Sequence, residues 1–436
     1  MLIDDKDPSG LQPARTGRWY HGVTPDNRRA LIAAFLGWTF DGYETYALVV
    51  VLTPLMQQLL SNRERADLPF WGGLAVGITL LGWAVGGVIG GAVADRVGRK
   101  RVMLFSVAAY AVCAGLTALA VNLPMLLALR FLTGLSLGSE WGTGTALIAE
   151  TWPVRARAKA AGIMQAGFGF GSLLASGVWL GLSQLGPGGW RFVFLVGIMP
   201  ALFTLYIRRR VTESSAWLEA RRETGPGRGR PAITRMFSDP VCRRRVLLTL
   251  VLSLFSIGAY YTVSTSLPLY VSQLAAADGH AAIDRLTSLA GIGYNTGSIA
   301  GYVAGGFLAD LLGRRRYIAL YLVGAVAVTA LLYLTTGSPV TVIWLSGLNG
   351  FFTLGIFAAF AIYLPELFPS SLRATAIGFV FNSTRIIAAI GPVVFGSLII
   401  ALHGVQDATA GLGCLYIVGA IVLPFLPETK GNAIPS

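Results

Sequence analysis

The chain has 436 residues, 54% of them apolar and 13% charged, against about 25% charged in a soluble globular domain. A mean hydropathy of +0.64 excludes an ordinary soluble fold, and runs that stay apolar and rich in Gly and Ala exclude membrane strands, which alternate apolar and polar over about 10 residues. The formal charge of +13 invites a nucleic-acid partner, but membrane topology accounts for it and no nucleic acid is expected.

Residues 1–28 are polar and hold Asp4, Asp5, Asp7, Pro8 and Pro13. Without the apolar core of a signal peptide they are expected to form a cytoplasmic tail. Twelve membrane helices are predicted near 31–60, 70–94, 102–121, 124–151, 160–185, 191–207, 246–274, 286–309, 317–336, 340–367, 376–402 and 409–427, each long enough for about 30 Å of hydrocarbon. With the N-terminus inside, alternate loops hold 28 of the 34 Lys and Arg. Arg63, Arg65, Arg191 and Arg285 lie opposite, and Arg130 and Arg385 fall within helices. The positive-inside rule then places both termini in the cytoplasm. The expected fold class is an all-α membrane protein, with six-helix bundles at 29–207 and 246–427, a cytoplasmic linker at 208–245 and a tail at 428–436. A monomer in the lipid bilayer is expected. Cys113, Cys242 and Cys414 have no metal or redox spacing, so no metal site is expected.

The first span, FLGWTFDGYETYAL at 35–48, carries Asp41 and Glu44 where charge costs several kcal/mol. Arg130 and Glu140 in helix 4 and Arg385 in helix 11 are the other ionisable residues well inside the spans. At 1.5 Å per residue Glu44 lies roughly 20 Å from the inner edge and Arg130 about 9 Å from the outer one, depths that coincide in a core of about 30 Å. Glu44 and Arg130 are therefore expected to pair in the outer half, with Asp41 on nearly the same face. A desolvated acid that loses its guanidinium partner takes up a proton, which makes the pair a proton switch. The pair also reads as purely structural. Glu140 reads equally as a second proton site or as a cap for helix backbones among the glycines.

GAVADRVGRK at 91–100 returns as GFLADLLGRR at 306–315, and ETWPVRAR at 150–157 as ELFPSSLR at 366–373. The offset is 215 or 216 throughout, so the chain reads as two six-helix halves in parallel repeat, a plan that encloses a midplane site in transporters. Asp95, Arg99, Glu150 and Arg157, with Asp310, Arg314, Glu366 and Arg373, are candidate cytoplasmic gate residues. Each acid could pair with an Arg, including Glu150 with Arg157 and Glu366 with Arg373, or the motifs could merely fix topology and loop shape.

Arg385, in FNSTRIIAAIGP at 381–392, sits roughly 15 Å deep with no acid within helices 7, 8, 9 or 11. Such a guanidinium is a fork for a substrate carboxylate, or it reaches Asp41 as a structural pair. Asn382 lies one turn before it. Gln165 in helix 5 could bind a hydroxyl or join helices. Helix 7, SLFSIGAYYTVSTSLPLY, offers Tyr260 and Tyr261 and no amide. With Trp38 and Tyr43, these rings could stack on an aromatic ligand.

The paired loop motifs, Arg130-x-x-x-Gly134 and PETKG at 427–431 resemble the major facilitator superfamily over residues 30 to 431. That resemblance implies alternating access by two rocking bundles, driven by a proton gradient without a cofactor and not by an enzyme's chemistry. GYET at 42–45 is similar to the proton-coupled sugar porters, whose acid pairs with the helix 4 Arg. DGYE at 41–44 and R-I-x-A-I-x-x-P in helix 11 look more like the aromatic-acid/proton symporters, and GSEWGTGTALIAETWP at 138–153 like carboxylate symporters. The expected function is a proton-coupled symporter importing a small organic anion, an aromatic or other monocarboxylate, in a bacterial inner membrane. The alternative is a sugar or polyol symporter, and a non-transporting receptor lacks any added soluble domain.

Overall fold

The structure, a computed structural model, describes residues 19–186, 188–224, 232–274, 280–335, 338–388, 398–399, 401–402 and 404–435. No strand occurs among them. The first half contains α1 (Pro25–Leu59), α2 (Leu68–Val97), α3 (Arg99–Thr117), α4 (Leu123–Thr151), α5 (Val154–Leu182), α6 (Gly189–Val196) and α7 (Met199–Arg210). Two short helices follow, α8 (Ser215–Thr224) and α9 (Ala232–Ser238). The second half contains α10 (Pro240–Leu274), α11 (His280–Leu312), α12 (Arg314–Leu334), α13 (Pro339–Thr353), α14 (Phe357–Leu367), α15 (Arg373–Ala388), α16 (Val405–Gly413) and α17 (Leu415–Ile421).

Two helices of the first half start on side-chain caps. Thr24 and Asn27 form a reciprocal capping box on α1, and Asn122 accepts from the Met125 N–H at the start of α4. Each copy of the first loop motif, at 91–100 and 306–315, turns on one residue. Gly98 (φ 109°) separates α2 from α3 and Gly313 (φ 87°) separates α11 from α12, a backbone region that a Cβ disfavours.

Three expected spans are not single helices. The sixth breaks between α6 and α7, where Ile198 and Ala201 make i→i−3 bonds and Pro200 supplies no donor. The tenth breaks between α13 and α14, where Phe357, Ala358 and Ala359 bond three residues back. The twelfth is divided at Cys414. The expected eleventh span lies largely outside the described residues beyond Ala388.

Among the described residues eight helical stretches are long and apolar enough to cross a membrane. The helices α1 and α4 are not among them, and these carry Asp41, Glu44, Arg130 and Glu140. Within the first half α2 packs on α4 and α1 on α5; within the second, α11 packs on α13. The halves meet chiefly where α2 packs on α15 and α5 on α11, with smaller contacts of α5 with α14 and of α4 with α14 and α15. At the α5–α11 crossing a Cβ on Gly162 would stand 2.6 Å from the Tyr302 carbonyl oxygen, and one on Gly306 2.7 Å from that of Ala158, so only glycine permits this approach.

Candidate functional site

The charged residues of α1 and α4 form two adjoining groups. In the first, Arg130 Nη1 donates to Glu44 Oε1 at 2.8 Å, and its Nη2 donates to Thr117 at 2.6 Å and Thr133 at 3.2 Å. The guanidinium lies 4.8 Å over the Phe194 ring. Both charges are buried, and the threonines of α3 and α4 with the ring of α6 enclose them inside the first bundle. Arg130 Nε and Glu44 Oε2 nonetheless have no hydrogen-bond partner among the described residues, which leaves part of the desolvation cost of this buried ion pair unmet.

In the second group the Asp41 carboxyl, fully buried on α1, meets that of Glu140 on α4 within hydrogen-bonding reach. Among the described residues no other hydrogen-bond partner reaches either carboxyl. Arg385 and Glu44 are the further charges that act on Asp41. The buried Tyr110 hydroxyl of α3 lies in the field of all three acids. A cavity of about 10 Å³ adjoins Glu140, lined also by Trp38, Met103 and Met164.

Arg385 stands where α15 faces α2. Its guanidinium carbon is 4.2 Å from the Trp83 ring and 4.6 Å from that of Phe381. Nη1 donates to Asn382 Oδ1 at 2.9 Å, and Tyr261 shares a hydrogen bond with the guanidinium. Among the described residues no carboxylate lies within 4.0 Å of it. Rings from both halves surround this point. Phe381 stacks on Trp141 with centroids 3.7 Å apart, and Trp38 lies 6.1 Å from both Trp83 and Trp141. Tyr260 packs against Tyr261 and Phe357. Gln165 accepts from Trp141 Nε1 at 3.0 Å and bonds Tyr302 of the other half.

Tyr43 departs from its expected place among the ligand-facing rings. One residue from Gly42, it projects into the first bundle, and its hydroxyl donates to the Val193 carbonyl at 2.8 Å. Residue 43 thus falls on the Glu44 side of α1, whereas Asp41 faces Glu140 of α4 and the charge of Arg385, and Trp38 packs against Trp141 of α4.

The loop motifs meet at one end of the molecule. Asp95 accepts from the backbone N–H of Ala374 (3.3 Å) and Thr375 (2.8 Å) and from the Thr375 hydroxyl (2.6 Å), capping α15 of the other half. Arg99 joins Asp95 and Glu150 at 3.0 Å each and donates to the Ser370 carbonyl. The expected Glu150–Arg157 and Glu366–Arg373 pairs are not formed. Arg373 instead crosses to Glu150 at 2.7 Å, while both Glu366 oxygens are taken by Arg314. Arg157 donates to the Trp152 carbonyl at 3.5 Å. Lys159 of α5 pairs with Asp310 across the halves.

Sequence reading missed Trp83, Tyr110 and Lys159, and it also missed two symmetric acids. Glu213 caps the first turn of α3 through the Arg99 and Lys100 N–H groups, and Glu428 caps α12 through those of Arg314 and Arg315. They are 215 residues apart, the offset of the loop motifs, and that spacing was the available signal.

A sequence profile of the Major Facilitator Superfamily matches residues 30–282 and 274–435. The chain belongs to that superfamily. It is a multi-pass membrane transporter and not an enzyme. A probable 4-methylmuconolactone transporter of Cupriavidus pinatubonensis is 32% identical over 426 residues, covering 95% of this chain and 94% of the relative. A gentisate transporter of Corynebacterium glutamicum is 29% identical, covering 91% of this chain and 88% of the relative. In fold the superfamily member resembles the proton:xylose symporter XylE, with TM-score 0.79 at 19% identity over 94% of this chain and 98% of that one.

Proposed function

We propose that this transporter imports a small organic anion, an aromatic or related carboxylate, together with a proton, by alternating access of two six-helix bundles. The twelve expected spans and the cytoplasmic placement of both termini belong to this reading. The observation that carries it is Arg385: a buried guanidinium between the halves, bedded on Trp83 and Phe381, with no carboxylate in ion-pair contact among the described residues. An unbalanced buried cation is costly, and a planar guanidinium between rings is shaped for a bidentate carboxylate attached to an aromatic body. The relatives named for gentisate and 4-methylmuconolactone support an organic acid.

The proton belongs, on this reading, to the Asp41–Glu140 pair. Two carboxyl groups in hydrogen-bond contact hold one proton between them. Substrate binding at Arg385 alters the charge that Asp41 faces, and loading and protonation are thereby linked. Glu44 and Arg130 adjoin the pair along α1 and serve as the switch that couples bundle motion to it. The cavity beside Glu140 has the volume of about one water and would serve as the proton's first step. The cross-half bonds of Asp95, Glu150, Arg373 and Lys159 act as the cytoplasmic gate.

The sugar or polyol alternative rests on Gln165, yet its oxygen is already bonded by Trp141. The test uses proteoliposomes with an imposed pH gradient and a panel of benzoate-type acids, their neutral amides and pentoses. Wild type should accumulate an acid, and Asp41→Asn should lose gradient-driven accumulation while keeping substrate exchange. Accumulation of pentoses alone would overturn the substrate class, and undiminished accumulation by Asp41→Asn the proton assignment.

A further inference from the structure

A cavity of about 710 Å³ opens at the motif end of the second half, between the start of α12 and the end of α17. Arg315, Arg316 and Lys430 line its polar side, and Ala319, Ala420 and Leu423 its apolar side. The one acid in its wall, Glu428, is already bonded to the N–H groups of Arg314, Arg315, Thr429 and Lys430. The three cations meet no carboxylate within 4.0 Å among the described residues. Lys430 Nζ also donates to the Leu311 carbonyl at 3.1 Å, and with three cations against one acid the groove presents a net positive charge above an apolar floor.

Its surroundings face lipid. The neighbours of the lining residues are apolar and exposed: Leu311 (71%), Leu320 (44%), Ile421 (61%) and Phe425 (59%). In a membrane transporter such side chains contact acyl chains.

The repeat shows that the open groove is particular to this half. At the same place in the first half Lys100 Nζ is bonded to the Arg208 carbonyl, and α8 lies over the loop. Trp217 of α8 donates to the Asp95 carbonyl at 2.9 Å, and Arg221 stacks on Trp217 at 5.0 Å. Residue 215 positions after Trp217 is Asn432, which has no ring to fill the space.

We propose that this groove binds the headgroup of an anionic phospholipid, with the phosphate on Arg315, Arg316 and Lys430 and the acyl chains descending along α12 and α17. Charge complementarity selects an anion, and the apolar floor with its lipid-facing flank selects one that carries hydrocarbon. A bound lipid would bridge α12, α17 and the Glu428 segment, stiffening the second half at the end where the bundles meet. This site is independent of the transported substrate.

The experiment titrates phosphatidylglycerol or phosphatidylcholine into the purified full-length protein in detergent, and native mass spectrometry follows the tightest-binding lipid. Wild type should prefer phosphatidylglycerol, and Arg315→Gln with Arg316→Gln should weaken that lipid about fivefold per cation removed while leaving phosphatidylcholine unchanged. Arg315→Lys with Arg316→Lys should retain the preference, which separates lost charge from misfolding. Lys100→Gln with Arg101→Gln, the covered counterpart, should also retain it. The proposal is overturned if the two lipids bind equally, if the Gln pair binds as wild type does, or if the first-half pair loses as much. Displacement of the lipid by millimolar inorganic phosphate would likewise overturn it in favour of a soluble anion.

Discussion

At the scale of single residues, Arg130 and Arg385 are both buried arginines with opposite fates. Arg130 has a carboxylate, two hydroxyls and a ring around it, while Arg385 has rings, an amide and a hydroxyl. Truncating Arg130 strands Glu44 in a dry site, so Arg130→Ala is expected to cost about 3–5 kcal/mol, read as a fall in melting temperature of the detergent-solubilised protein. The double variant Arg130→Met with Glu44→Gln should recover most of it, because it removes both charges. If the double variant melts as low as the single one, stranded charge is not the cause. For Arg385 the expected deficit is in substrate affinity. Trp83→Leu removes one cation–π face worth about 0.5–2 kcal/mol, and it should raise the KM for a carboxylate roughly 2- to 30-fold with little change for a neutral analogue. The Glu44–Arg130 contact was legible in sequence because helix depth is arithmetic in residue number. Tyr43 was not, since which side of α1 it takes depends on how α1 sits between α5 and α6. Trp83 was hidden for a related reason: nothing in the α2 sequence says that α15 will lay a guanidinium on it.

Helices and their ends carry a second kind of information. The repeat offset located both loop motifs, yet it also held the two caps, Glu213 and Glu428, that motif reading passed over. Burial alone would push the Glu428 carboxyl up, but the backbone N–H groups of Arg314, Arg315, Lys430 and Thr429 outweigh it and hold the group below the usual glutamate value of 4.5. An acid lowered in the folded state contributes stability that is present above its unfolded value and lost as pH falls through the folded one. Glu428→Gln should therefore lower the melting temperature at pH 7 by the equivalent of about 1 kcal/mol, a typical cap. The gap to wild type should close as pH drops below 4.5. A gap that persists unchanged under acid would show that the carboxylate's charge is not what holds the start of α12. The breaks at Ile198 and around Gly355 were not legible, because continuous hydropathy reports burial in lipid and says nothing of a local tightening of the backbone.

For the whole molecule, the two halves are fastened to each other at the motif end, where sequence reading places the Glu150 and Arg373 pairings within each half. Arg373 bonds Glu150 of the other half, Asp95 caps the other half's α15, and Lys159 reaches Asp310. A repeat explains the swap: equivalent motifs approach each other about the pseudo-two-fold axis, and an arginine can serve the acid of its own copy or that of its partner copy. The latter ties the halves together in this structure, and its loss is expected to bias the molecule toward a state open at this end. Gly142 offers a reporter, since a Cβ there would stand 3.6 Å from Gly378 across the halves, an ordinary contact. With Cys113, Cys242 and Cys414 replaced by Ala, a Gly142→Cys reporter should react slowly with N-ethylmaleimide in the otherwise wild-type protein. Arg373→Ala removes one charge-assisted bond worth about 1.5–3 kcal/mol, so labelling should quicken by roughly 10- to 100-fold. Arg157→Ala, whose guanidinium makes no ion pair within 4.0 Å among the described residues and donates to the Trp152 carbonyl at 3.5 Å, should change it far less. Equal acceleration by both substitutions, or by neither, would mean that the Arg373–Glu150 bond does not set the balance between the two states.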